Sequence, residues 1–77
     1  MSAIRDAAVR LLAEALQLDP ARVDDETTLG VTPEWDSLAH LRLVFGIEAR
    51  FGRQLSPDEI VSLANLRDVV SLLERHR

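Results

Sequence analysis

Asp36, Ser37 and His40 are the residues whose types and spacing suggest chemistry: a primary hydroxyl, an imidazole three positions on and an adjacent carboxylate. One use for such a set is nucleophilic catalysis. A triad, however, draws its members from separate elements around a preformed oxyanion hole, and the sequence has no Gly-x-Ser-x-Gly elbow. Three neighbours on one turn do not supply that geometry, so a small hydrolase is the weaker reading. His40 then reads as a surface or half-buried polar residue of a helix. The second use is attachment. Asp36 and Ser37 are both helix-starting residues, because a short side-chain oxygen accepts from backbone N–H groups that lack an intrahelical partner. A hydroxyl placed there sits at the positive end of the helix dipole among free N–H groups, where a phosphate is favoured. Ser37 is suited to carry a phosphate-linked group.

The elements that must position this hydroxyl can be read from apolar spacing. Residues 2–17 place Ile4, Ala8, Leu11, Leu12 and Ala15 at helical intervals, with Asp6, Arg10 and Glu14 on another face. Residues 18–35 hold Pro20, Gly30 and Pro33 and show no sustained period, which predicts a long loop. A loop of that length in a small domain is functional or tied down, and Leu18, Val23, Leu29 and Val31 are its candidate ties. Asp19, Asp24, Asp25, Glu26 and Glu34 face only Arg22 along it, a negative surface beside Ser37.

The central helix is expected over 36–51. Leu41, Val44, Ile47 and Phe51, with Leu43 nearby, form the expected buried face; Leu38, Arg42, Phe45 and Ala49 form an adjoining stripe. Gly46 in mid-helix suggests a close approach of neighbouring backbone, and Gly52 a helix stop. Ser56, Pro57 and Glu59 spell a capping box with Pro at the first helical position, opening a short helix to about Ser62. Asn65 to Asp68 offers another cap before Val69, Val70, Leu72 and Leu73, in a last helix ending at Arg75-His76-Arg77. No strand pattern competes. The expected fold is all-α, one domain over 1–77: a four-helix bundle with a long loop after helix one and a short third helix.

Size and composition narrow the function. A chain of 77 residues buries roughly 60% of its unfolded surface, enough for one core and no deep catalytic cleft. It has no Cys, which removes disulfides and thiolate metal sites. His40 and His76 stand far apart without ligand spacing, so no metal site is expected. Net charge is −4, and all nine basic residues are Arg, a balance unsuited to neutralising nucleic-acid phosphates. The N-terminus shows neither signal peptide nor membrane span, so a cytoplasmic location is expected. The partner class that remains is protein.

The triplet Asp36-Ser37-Leu38 at the start of the second helix resembles the phosphopantetheine attachment motif of acyl carrier proteins and related peptidyl carrier domains. The resemblance covers nearly the whole chain: helix one, the acidic loop with Pro20 and Leu29, the Asp-Ser-Leu helix ending at Glu48-Ala49-Arg50-Phe51-Gly52, the short helix after Pro57 and the final helix. It implies a covalent 4′-phosphopantetheine on Ser37, placed there from coenzyme A by a phosphopantetheinyl transferase. The arm's thiol would carry an acyl group as a thioester, with chemistry left to acyl-loading and acyl-processing enzymes. It further implies that Asp36 and Leu38 are read by the transferase and that Leu38, Arg42, Phe45 and Ala49 form the docking face.

The chain departs from the family's pattern in two places. Carriers of fatty-acid synthesis present an acidic second helix, whereas this one sets Arg42 and Arg50 against Glu48 and concentrates its acid in the loop. Peptidyl carriers lead into the serine with Gly, whereas Glu34-Trp35 stands there, Trp35 reading as a structural plug at the helix start. These departures favour a free-standing acyl carrier of a dedicated or secondary-metabolic pathway over a domain cut from a larger synthase, and a monomer is expected. An aminoacyl or peptidyl carrier, and an unmodified helical adaptor, are the alternatives.

Overall fold

In the computed structural model, which describes residues 3–76, the helices follow in the expected order: α1 (Ala3–Leu16), α2 (Ser37–Phe51), α3 (Pro57–Ser62) and α4 (Leu66–Arg75). No strand forms among the described residues, and the fold is an all-α four-helix bundle with a long connection after α1. Ser2 and Arg77, expected at the outer ends of the first and last helices, lie outside the described residues.

α1 packs against both α2 and α4, so its apolar stripe is the centre of the core, with Ala8, Leu12, Ala13, Ala15 and Leu16 buried. Its C-terminus shows where the orphan carbonyls go. Gln17 takes the left-handed conformation (φ 57°); its N–H reaches Glu14 O at 3.3 Å and the Leu18 N–H reaches Ala13 O at 2.9 Å. This is a Schellman closure with Gln where Gly is usual. The next carbonyl, of Ala15, accepts from the Arg42 guanidinium of α2 at 3.3 Å. α1 has no basic residue in its own last turn, so α2 supplies the cation that suits its negative end.

α2 buries Ala39, Leu43, Val44 and Ile47, and Phe51 packs at the edge of the core. Leu41, expected inside, is 50% exposed. The helix is apolar around most of its girth, so spacing alone leaves two faces to choose from. Packing against α1 selects the line through Ala39, Leu43 and Ile47 and turns Leu41 outward. The neighbour at Gly46 is a side chain and not the backbone expected there: a Cβ would stand 3.3 Å from Leu11 Cδ2 of α1, because the two helices meet through their side chains at this point. Gly52 ends the helix in the left-handed region (φ 72°), its N–H on Glu48 O at 2.8 Å.

The long connection has order of its own. A 3-10 turn at Pro20–Arg22 is capped by Asp19, and Val23 and Thr27 are buried. Leu29 N–H bonds Ala64 O at 2.8 Å, and an antiparallel bridge joins Thr28 to Asn65. Val23, Leu18 and Leu29 tie the loop to the core as expected. Val31 does not: it is 76% exposed, because the Thr28–Thr32 turn, closed by Thr28 N–H on Thr32 Oγ1 and Thr32 N–H on Thr28 O, points its apex outward. Nor does Arg22 alone meet the loop's acid, since Arg5 of α1 pairs with Asp25 at 3.1 Å.

α3 opens on the capping box that Ser56 and Glu59 spell, with Pro57 at its first position. α4 opens on Asn65, whose side chain accepts from the Asp68 N–H at 2.9 Å. Leu63, Leu66, Val69 and Leu72 are buried without exposure and close the core from this side.

Candidate functional site

Asp36 is the N-cap of α2. Its extended backbone (φ −100°, ψ −171°) turns a carboxylate oxygen back to the Ala39 N–H at 2.9 Å, which satisfies the third N–H of the helix. Ser37 and Leu38 occupy the first two helical positions, whose N–H groups have no intrahelical acceptor. Ser37 is exposed, and its hydroxyl bonds no other described residue. An exposed nucleophilic oxygen therefore stands beside two free N–H groups at the positive end of a 15-residue helix. This is a fit for a phosphodiester: nothing must be displaced to reach the oxygen, and the amides are already aimed at an anion.

The neighbours of Ser37 are tied by hydrogen bonds and burial. Trp35, 1% exposed, fills the space beneath the turn, as a plug would. Its Nε1–H donates to His40 Nδ1 at 3.1 Å, with the ring centroids 6.1 Å apart and the ring planes 27° from parallel. His40 Nε2 lies 3.0 Å from the Ile60 carbonyl of α3. Both imidazole nitrogens are thus engaged away from Ser37. His40 is not poised as a base for that hydroxyl, and the Asp36, Ser37, His40 set makes no catalytic triad.

The residues expected to form a partner face divide between two surfaces. Leu38 (56% exposed) and Phe45 (62%) line up with the outward Leu41 on a stripe that begins beside Ser37. Arg42 and Ala49 instead line an open groove between α1 and α2, with Leu11, Glu14, Ala15 and Gly46, and Arg42 is committed in part to Ala15 O. The loop's acid is similarly subdivided. Asp25 pairs with Arg5, Glu34 lies 3.8 Å from Arg22, and Asp24 accepts from the Glu26 N–H at 2.9 Å.

A second polar cluster lies around Glu59, at the start of α3. Glu59 receives Arg53 at 3.0 Å and His76 at 2.9 Å, and it accepts from the Ser56 N–H at 2.8 Å. The Arg53 hydrogen bond first, then the Ser56 N–H, hold the Glu59 carboxyl well below the usual carboxylate range, against a smaller opposing effect of desolvation. Arg53 also stands over the Phe51 ring, 5.7 Å from its centroid. Sequence reasoning found Ser56 and Glu59 through the capping box. It missed Arg53 and His76, which reach Glu59 only through the tertiary fold.

No described helix is long and apolar enough to cross a membrane. The family model described as "Phosphopantetheine attachment site" matches residues 6–73. No curated protein matches the chain.

Proposed function

This chain belongs to the phosphopantetheine-attachment family, whose domains carry a covalent 4′-phosphopantetheine and are not themselves catalytic, and on that premise we propose that Ser37 is the residue that carries it, in an acyl carrier protein. The observation that supports this is the exposed, unbonded Ser37 hydroxyl at the first position of α2, with the Asp36 cap leaving the N–H groups of Ser37 and Leu38 free.

In the transfer from coenzyme A, the Ser37 oxygen gives up its proton and bonds to phosphorus as the remainder of the coenzyme departs. With His40 bound elsewhere, the base must come from the phosphopantetheinyl transferase. When bound, the group supplies a thiol on a long arm, which a chain without Cys otherwise lacks, and that thiol holds an acyl group as a thioester.

Asp36 serves recognition through the turn it caps, and Leu38, Leu41 and Phe45 offer partner enzymes an apolar strip beginning at the attachment point. Arg42 and Ala49 contribute from the α1/α2 groove to the side of that strip. The mixed charge of α2 and the Glu34-Trp35 lead-in support an acyl carrier of a dedicated pathway over a peptidyl carrier or the carrier of general fatty-acid synthesis. Cytoplasmic, monomeric action with successive acyl-loading and acyl-processing enzymes accords with this reading.

Intact-mass measurement after incubation with coenzyme A and a broad-specificity phosphopantetheinyl transferase tests it. The expected result is one phosphopantetheine mass increment, abolished by Ser37→Ala. No increment on the wild-type protein would leave the exposed strip to an unmodified adaptor.

A further inference from the structure

Trp35, His40 and Ile60 come from three different stretches, the lead-in to Ser37, the first turn of α2 and the end of α3, and they meet at a single imidazole. An indole N–H is a donor only, so the bond from Trp35 makes His40 Nδ1 an acceptor. The neutral ring then carries its proton on Nε2 and donates it to the Ile60 carbonyl. Direction and tautomer are fixed by the partners, one of which is 1% exposed.

α3 gives this bond its weight. The helix has six residues and none of them is buried; its apolar hold is limited to the partly buried Ile60 and the buried cap residue Leu63, so polar ties contribute to its placement. At the Ile60 end, the carbonyl also accepts from the Leu63 N–H, but at a long 3.4 Å; the His40 bond is the shorter one. On the other side, Trp35 lies two residues before Ser37, and its backbone closes the loop turn through Trp35 N–H on Thr32 O at 3.0 Å.

Resting on the assignment of Ser37 as the attachment residue, we propose that His40 is a positioning residue: a neutral strut that fixes the Trp35 lead-in against α3 and so sets the direction in which Ser37 presents its hydroxyl to the transferase. His40 does not touch the reacting atoms. It acts through Trp35 on one side and α3 on the other, so a disturbance at either end is felt at the other.

The strut divides into separable halves. His40→Asn places an acceptor where Nδ1 stands and keeps the Trp35 bond; His40→Gln places a donor near Nε2 and keeps the Ile60 bond; His40→Leu keeps neither. Compared with the wild-type carrier as substrate for a phosphopantetheinyl transferase, the His40→Leu carrier is expected to lower kcat by about tenfold to a hundredfold, the scale of a misplaced reacting group, with KM nearly unchanged. Each single-bond variant should fall between it and the wild type. Trp35→Phe, which keeps an aromatic side chain but loses the N–H and part of the indole's volume, should lower kcat in the same way. In amide spectra it should also shift the resonances of Ile60 to Leu63, although those residues are remote from it in sequence. The chain has one Trp, so the indole N–H resonance reports the strut unambiguously: retained in His40→Asn, moved in His40→Leu.

Folded His40→Leu or Trp35→Phe protein with wild-type kcat would overturn the proposal, as would Trp35→Phe spectra in which the α3 amides do not move. The resonances are read on the unmodified protein. Failure of the wild type to gain the arm would therefore sink the Ser37 assignment, while the coupling of Trp35 to α3 would still stand or fall on the spectra.

Discussion

The two ends of α3 are held by opposite means. At the start, Glu59 is gripped by Arg53, His76 and the Ser56 N–H; at the finish, one imidazole spans from Trp35 to the Ile60 carbonyl. The first tie is charged, reached by solvent and tolerant of approximate geometry. The second is neutral, half-buried and directional. A six-residue helix is too short to hold itself, so its placement depends on both. The contrast teaches that the charged tie governs how stability responds to conditions, whereas the neutral tie governs how the Ser37 turn is aimed.

Removing the anchor of the neutral tie should have the largest effect. Trp35→Ala empties a site with 1% exposure and is expected to cost about 3–5 kcal/mol. Set against a total of roughly 4–11 kcal/mol for a domain this size, that leaves the variant near its unfolding midpoint in mild urea, read by far-ultraviolet circular dichroism. His40→Leu strands the buried indole N–H and should cost about 1–3 kcal/mol, with the urea slope unchanged. A cost near zero would break the contrast, because it would mean that the neutral end holds nothing.

The charged end should appear chiefly in the pH profile. Because the folded state holds the Glu59 carboxyl well below its ordinary value, its contribution is complete above the ordinary glutamate range, about 4.3, and is lost as the pH falls below it toward the folded-state value. Thermal melts of the wild type should therefore decline on acidification, and Glu59→Gln should start lower and decline less. Salt gives the smallest effect. At about 1 M the screening length falls to roughly 3 Å, so added salt should lower the wild-type melting temperature slightly more than that of Glu59→Gln. The indole N–H resonance should stay where it is. A salt-dependent indole shift would erase the distinction between the two ties.

The parts legible in the sequence were those decided within a few residues. Asp36, Ser56 with Pro57 and Glu59, Asn65 and Gly52 each mark a helix end because a cap is a local exchange between a side chain or a left-handed backbone and nearby amides. Ser37 stood out for the same reason, whereas the contact at Gly46 is tertiary, with a side chain of α1 in place of the expected backbone. Leu41 and Val31 were misjudged because their exposure depends on which surface another element covers, and an apolar residue type does not say. The ties at Ala15 O and Ile60 O were illegible for a different reason. Their acceptors are backbone carbonyls, which every residue has, so no side-chain pattern in α1 or α3 announces that Arg42 or His40 will arrive.

The bridge between Thr28 and Asn65, with Leu29 N–H on Ala64 O, sets an order of events. Half of that stitch lies far downstream, so the segment leading into Ser37 acquires its final support only after the head of α4 has left the ribosome. A nascent chain halted before that point would display the serine without its scaffold, so under the proposed attachment at Ser37 competence for modification is a late property of synthesis.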